Sequence, residues 1–174
     1  CLGGIYINPT KFIEFPFDLL QGGSYVVVAT GLLGDNATPF NLAATSTTFG
    51  SSSSNVVGLE IYHGSTDAPA VDIWADDSPL LTDFSYGDFS GFVEVPAADY
   101  ILGVAPAGGD IIASFLAPLS GLGGGSAVAF ASGFLSGDDP AFGLFATLND
   151  PIFAFFLGPL GPSGVITTTE SLCL

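Results

Sequence analysis

His63, Asp67 and Asp72 are the residues of this sequence best equipped for chemistry. They fall in one run, His63-Gly64-Ser65-Thr66-Asp67-Ala68-Pro69-Ala70-Val71-Asp72-Ile73. An imidazole beside carboxylates is the start of a hydrolytic or metal constellation. The rest of such a set is missing. His63 is the one histidine and Lys11 the one basic side chain. Ser65, Ser85 and Ser90 do not sit in a Gly-x-Ser-x-Gly elbow. A zinc site cannot be built from one His and two distant Cys. The plainer reading is structural: Asp67-Ala68-Pro69 is a turn whose carboxylate accepts backbone N–H groups, and His63 satisfies the same loop. No enzymatic activity is expected. A hydrolase at His63 and Asp67 is the reading this displaces.

Other candidates are weaker. Asp138 and Asp139 form an acidic turn that could lend two or three oxygens to calcium, which needs six to eight. No EF-hand or nonapeptide spacing accompanies them, so a solvated turn is expected and no cofactor is assigned. Gly121-Leu122-Gly123-Gly124-Gly125 lacks the lysine and helix of a phosphate loop. Asn36-Ala37-Thr38 is an N-glycosylation sequon. Trp74 is read as a core residue rather than a sugar platform. Cys1 and Cys173 lie at opposite ends of the chain. Paired within one chain, they would close a long loop worth roughly 4–5 kcal/mol. A bridge between chains, a lipidated Cys1 and free thiols are the other readings.

Composition says what surrounds these residues. The chain has 174 residues with a formal charge of −16, yet only 10% are charged and 48% hydrophobic. Nucleic-acid binding is excluded, because phosphates need Lys and Arg to displace their counterions. Anionic membrane surfaces are excluded on the same ground. The hydrophobic fraction is too high for a disordered acidic tail. With 24 Gly, 12 Pro, 16 Phe and no Met, helix interiors are disfavoured and strands favoured. The most apolar tract, Ile152 to Ile166, is broken by Gly and Pro and too short to span a membrane. No signal peptide is visible, and an extracellular setting is expected.

The elements that hold the candidates are all β. A shift of 102 residues lays Gly22-Gly23-Ser24-Tyr25-Val26-Val27-Val28-Ala29-Thr30-Gly31 over Gly124-Gly125-Ser126-Ala127-Val128-Ala129-Phe130-Ala131-Ser132-Gly133. Phe40, Leu42, Ala44 and Thr45 then lie over Phe142, Leu144, Ala146 and Thr147. The second copy shows seven strand signals: Val57–His63, Val71–Ala75, Gly91–Pro96, Asp99–Val104, Ile111–Leu116, Ser126–Phe134 and Phe142–Leu148. Turn signals recur about every ten residues, the pattern of a β-sandwich. The first copy shows three: Ile5–Phe15, Ser24–Leu33 and Phe40–Thr45. The expected fold is therefore tandem immunoglobulin-like β-sandwich modules. Residues 1–45 form a partial module, 46–55 a Ser/Thr-rich linker, 56–150 a complete module and 151–174 an apolar tail strand. A donated or folded-back strand is expected to complete the partial module.

The run from His63 to Ile73 resembles the H-x-S-P-D-A-P-x-V-D-V signature of the domain-of-unknown-function 4397 family. The segments Pro79-Leu80-Leu81, Phe84-Ser85-Tyr86-Gly87 and Val95-Pro96-Ala97-Ala98-Asp99-Tyr100 also fit. Thr66 stands where that family usually has proline. The resemblance covers about Val57 to Thr147 plus the partial copy. It implies secreted or cell-surface β-sandwich modules, often in tandem, of a family with no established catalytic role, and it says almost nothing about activity. It makes His63, Asp67, Pro69 and Asp72 a structural motif.

The function expected is a non-enzymatic extracellular structural protein, a filament or surface-fibre subunit. Its partners are other copies of itself, head to tail, joined by strand donation. Cys1 and Cys173 lie at the two elements such a joint would bring together, and glycans would sit on the surface. The alternative is a cell-surface adhesion or ligand-binding module from a longer tandem array.

Overall fold

The computed structural model describes residues 2–7, 10–137 and 140–148. Cys1, Cys173, Asp138, Asp139 and the tail 151–174 lie outside the described residues. Among those described there are twelve strands and no helix, so none is long and apolar enough to cross a membrane. The chain divides into two compact units, one holding the residues up to Gly23 and the other beginning at Ser24.

The first unit contains an antiparallel hairpin of β1 (Leu2–Ile7) and β2 (Thr10–Pro16). One strand was expected over Ile5–Phe15. Asn8-Pro9 falls in its middle, and that dipeptide is a turn signal.

The second unit holds β3 (Tyr25–Thr30), β4 (Asn41–Ser46), β5 (Val56–His63), β6 (Val71–Ala75), β7 (Ser78–Phe84), β8 (Val93–Pro96), β9 (Asp99–Pro106), β10 (Ala113–Pro118), β11 (Ser126–Ser132) and β12 (Gly143–Leu148). Two four-stranded sheets have the orders β10-β9-β6-β7 and β12-β11-β5-β8. Their neighbours are antiparallel except for β11 and β5, which run parallel. One core draws on both sheets: Val57, Leu59, Ile61, Val95 and Ala127 from one, Val71, Ile73, Phe84, Val104 and Ala117 from the other. This is the packing of a β-sandwich.

The strand beyond the seven expected is β7. Asp76-Asp77-Ser78-Pro79 reads as a turn, and β7 can hold Pro79 because it is an edge strand with irregular pairing to β6. The strand order also departs from the immunoglobulin one, which joins the third strand to the sixth and seventh. Here the third strand, β7, pairs with the second, β6, and the sixth, β10, with the fifth, β9.

β3 and β4 form a hairpin whose register, Tyr25↔Ser46 through Thr30↔Asn41, repeats that of Ala127↔Leu148 through Ser132↔Gly143 after the 102-residue shift. The connecting loops repeat as well. Leu32 N–H donates to Thr38 O at 2.8 Å and Phe40 N–H to Leu32 O at 3.0 Å. The counterparts are Phe134 to Pro140 at 2.9 Å and Phe142 to Phe134 at 3.1 Å. Gly31 and Gly133 both have positive φ, 78° and 87°. A Cβ at either would collide with backbone oxygens of the loop, those of Pro39 and Thr38 or of Ala141 and Pro140.

The Ser/Thr-rich segment is docked. Gly50 N–H donates to Ser126 Oγ at 2.9 Å, Ser51 N–H to Gly124 O at 3.2 Å, and Ser52 Oγ to Glu94 Oε2 at 2.6 Å.

Candidate functional site

The motif run leaves β5 at His63 and enters β6 at Val71. On β5 the alternation puts Leu59, Ile61 and His63 towards the core and Gly58, Glu60 and Tyr62 on the outer face. His63 is therefore a core side chain, 1% exposed. Its Nε2 lies 3.4 Å from Pro69 O and its ring tilts against Phe84 at 6.0 Å. Nδ1 is buried without a partner. A void of about 10 Å³, lined by His63, Ile61, Phe84, Val104, Phe142 and Leu144, adjoins it. That is room for about one water and not for a substrate. Burial pushes the imidazole pKa down, so His63 is neutral at pH 7, with Nε2–H donating to the Pro69 carbonyl.

The two carboxylates of the run work elsewhere. Asp67 Oδ1 accepts from Leu135 N–H at 2.8 Å and Oδ2 from Ser136 N–H at 2.8 Å. These bonds tie the β5–β6 loop to the β11–β12 loop. Ser65 adds to the tie, its Oγ donating to Gly133 O at 2.7 Å. Desolvation opposes ionisation at Asp67, but the Leu135 and Ser136 N–H groups outweigh it and hold its pKa below the usual range. Asp72 Oδ2 accepts from Gly108 N–H at 2.8 Å and Oδ1 from Asp83 N–H at 2.9 Å. The same two N–H groups hold its pKa down. Asp83 itself has φ 54°, so Asp72 holds a strained residue at the irregular stretch of the β6–β7 pairing.

The run thus acts as a staple at three separate points, His63 with Pro69, Asp67 at the β11–β12 loop and Asp72 at β7 and the β9–β10 turn. It joins β11–β12, β7 and the β9–β10 turn, and it assembles neither a nucleophile–base pair nor a ligand set. Among the described residues no three of His, Cys, Asp and Glu lie together as metal ligands. Asn36 is exposed in the β3–β4 loop, where Asp35 Oδ1 accepts from Ala37 N–H at 2.6 Å. Trp74 does not join the core expected of it. Ile73 points inward, so its neighbour must face out, and Trp74 Nε1 is buried without a partner.

The residue that sequence reasoning missed is Glu60. It is 1% exposed although it lies on the outer face of its sheet. The β3–β4 hairpin meets that face. Thr47 Oγ1 donates to Glu60 Oε2 at 3.3 Å, and Thr30 Oγ1 lies 3.1 Å from Tyr86 Oη. Glu60 Oε1 and Tyr62 Oη are buried without partners. Burial raises the pKa of both groups. An acidic residue inside an alternating strand reads as solvated. Only a layer over the outer face could have signalled otherwise.

That layer is one-sided. On the hairpin, Val26, Val28, Thr30, Ala43 and Thr45 share the face that is buried or half-buried, Val26 to 8%. Tyr25, Val27, Ala29, Leu42 and Ala44 share the other. There Val27 is 45% exposed and Ala29 and Ala44 are exposed too, while Tyr25 and Leu42 are half-buried. By the 102-residue shift, that open face corresponds to the core face of β11–β12, where Ala127 and Ala131 are buried.

Residues 57–131 match the family model of the domain of unknown function DUF4397. The match starts inside β5 and ends inside β11, so it spans seven of the eight sandwich strands and the whole His63–Asp72 staple. No curated protein and no solved structure matches the chain.

Proposed function

We propose that the protein is a non-enzymatic extracellular structural protein that self-assembles, a filament or surface-fibre subunit joined by β-strand donation. One observation carries the reading. The β3–β4 hairpin has the register and loop bonds of β11–β12, but among the described residues β3 pairs only with β4, whereas β11 also pairs with β5. An open edge beside an exposed apolar face is what strand addition uses. In this reading residues 1–45 are a partial copy of the sandwich module. The donor is the tail 151–174, and the contact between copies is heterologous and does not close. Cys1 and Cys173 would bridge neighbouring subunits, and Asn36 would carry a glycan. The sealed imidazole and the fully engaged carboxylates of the staple support a role without catalysis.

Negative-stain electron microscopy of the native protein tests this. Filaments with an axial repeat of one or two sandwich lengths are expected, and truncation before Pro151 should abolish them. Discrete particles would overturn the reading. They would favour an adhesion or ligand-binding module of a longer tandem array, in which the open edge is closed by a strand of the same polypeptide.

A further inference from the structure

We propose that the outer face of the β10-β9-β6-β7 sheet docks a basic protein segment, one that carries apolar side chains between lysines or arginines. The proposal does not depend on how copies of the chain join. The two sheets differ on their outer faces. Glu60 and Tyr62, on the outer face of β5, are each 1% exposed. On the other sheet Leu102, Val104, Phe115 and Ala117 belong to the core. Alternation therefore turns Ile101 and Gly103 of β9, and Ser114 and Leu116 of β10, outward. There Ile101 is 57% and Leu116 67% exposed.

The strand register gathers the apolar residues into one group. Leu116 lies directly opposite Ile101, and Trp74 and Ser114 both lie opposite Gly103. Ile111 fills the place of the side chain that Gly103 lacks: a Cβ there would meet Ile111 Cδ1 at 2.6 Å. Ile111, 48% exposed, is thus on the same face, over the middle of the three strands. Three strands span about 10 Å, roughly the width of one α-helix. Leu20, Leu33 and Phe49 are exposed as well, but in turns and connections. Scattered apolar residues are ordinary on a surface, whereas a contiguous group marks an interaction site.

Charge decides the occupant. Asp76, Asp99 and Asp110 border the group and are exposed. Asp76 Oδ1 accepts from Ile101 N–H at 2.9 Å. Asp99, two residues before Ile101 on β9, accepts from Ser120 N–H at 3.1 Å, and that N–H holds its pKa below the usual range. Asp110 precedes Ile111 directly. A second copy has little to set against this rim, because Lys11 is its one Lys or Arg against 17 acidic residues. Carboxylates facing carboxylates repel. A segment with lysines or arginines around an apolar centre matches both the rim and the middle.

The test titrates the full chain into a fluorescent amphipathic helix of about 14 residues, with leucines on one face and lysines elsewhere. Anisotropy reads the binding. Leu116→Ser and Ile101→Ser should each weaken it by about tenfold or more. Asp110→Asn should weaken it less and reduce its salt dependence. Leu33→Ser, at a site 71% exposed in the β3–β4 loop, should leave it unchanged. Failure of the Leu/Lys peptide to bind overturns the proposal. So does equal binding of a Ser/Lys peptide of the same charge, or an equal loss from Leu33→Ser, since both mean general counter-ion attraction. Equal binding of a Leu/Glu peptide would remove the argument from charge and overturn it too. Sedimentation of the chain alone covers the other occupant. Self-association that Leu116→Ser abolishes would give this face to a second copy and overturn the proposal.

Discussion

The two hairpins β3–β4 and β11–β12 share a register, a loop and a positive-φ glycine. They differ in what surrounds them. β11–β12 sits in a four-stranded sheet, buried on the core face at Ala127 and Ala131 and on the outer face at Val128. Among the described residues β3 and β4 pair only with each other, as a two-stranded sheet whose faces are unequally buried. Local sequence therefore specifies the hairpin, and its setting decides how much of the fold depends on it. An isolated hairpin is marginal in water, so the covered face of β3–β4, at Thr30, Thr47 and Glu60, is what steadies it within the chain.

The largest effect should come from the glycine the two hairpins share. Gly133→Ala forces a Cβ against the Ala141 and Pro140 carbonyl oxygens at φ 87°. It should cost about 3 kcal/mol of global stability, read as a lowered urea midpoint. Gly31→Ala meets the same obstruction from Pro39 and Thr38. It should leave the sandwich midpoint nearly unchanged and raise hydrogen exchange only in residues 25–46. Equal losses of global stability from the two substitutions would mean that both hairpins belong to one cooperative core, and the comparison would fail.

Much of the sandwich was legible in the sequence because its strands alternate cleanly and the repeat is ungapped. Val57 to His63 and Val71 to Ala75 announce themselves. β7 was hidden because Asp76-Asp77-Ser78-Pro79 reads as a turn, and Pro79 is tolerated there by an edge position. The burial of Glu60 was hidden for a different reason: strand alternation says which side chains share a face, never what covers that face. That the carboxylates of this run accept backbone N–H groups was legible at Asp67, because Asp67-Ala68-Pro69 reads as a turn. Which loops they join was not, since Leu135, Ser136 and Gly108 are distant in sequence.

Those staples give the next contrast. Asp67 holds the β11–β12 loop from another strand connection, whereas Asp35 holds the β3–β4 loop from within it. Asp67→Ala should cost about 1 kcal/mol, discounted for its exposure, and Asp35→Ala less. The folded pKa values of Asp67 and Asp72 are depressed. Their contribution is complete above the unfolded carboxylate pKa, near 4, and is lost as pH falls through the folded values. Glu60 has the opposite sign. Burial raises its pKa, so its contribution is complete below the unfolded value and is lost as pH rises through the folded one. Glu60→Gln keeps an acceptor for Thr47 and removes the charge. Protection factors in residues 25–30, which divide out the intrinsic pH dependence of amide exchange, should then no longer fall as pH rises above the unfolded carboxylate pKa. A protection factor that still falls with pH in that segment would show that Glu60 does not govern how β3–β4 docks.

The smallest effect tests the open face directly. Val27 corresponds to Ala129 of β11, so Val27→Ala writes the residue of the built-in hairpin into the exposed one. On a face where Val27 is 45% exposed, losing two methyl groups should change the stability of the unassembled chain by no more than about 0.5 kcal/mol. Val26→Ala, on the covered face at 8% exposure, should cost about 1–2 kcal/mol of hairpin docking through the cavity it leaves. The order of the two values is the measurement, taken by hydrogen exchange over residues 25–30 at a concentration too low for assembly. If Val27→Ala proved the costlier, the core-equivalent face would already be covered within the single chain. β3–β4 would then need no strand from a neighbour.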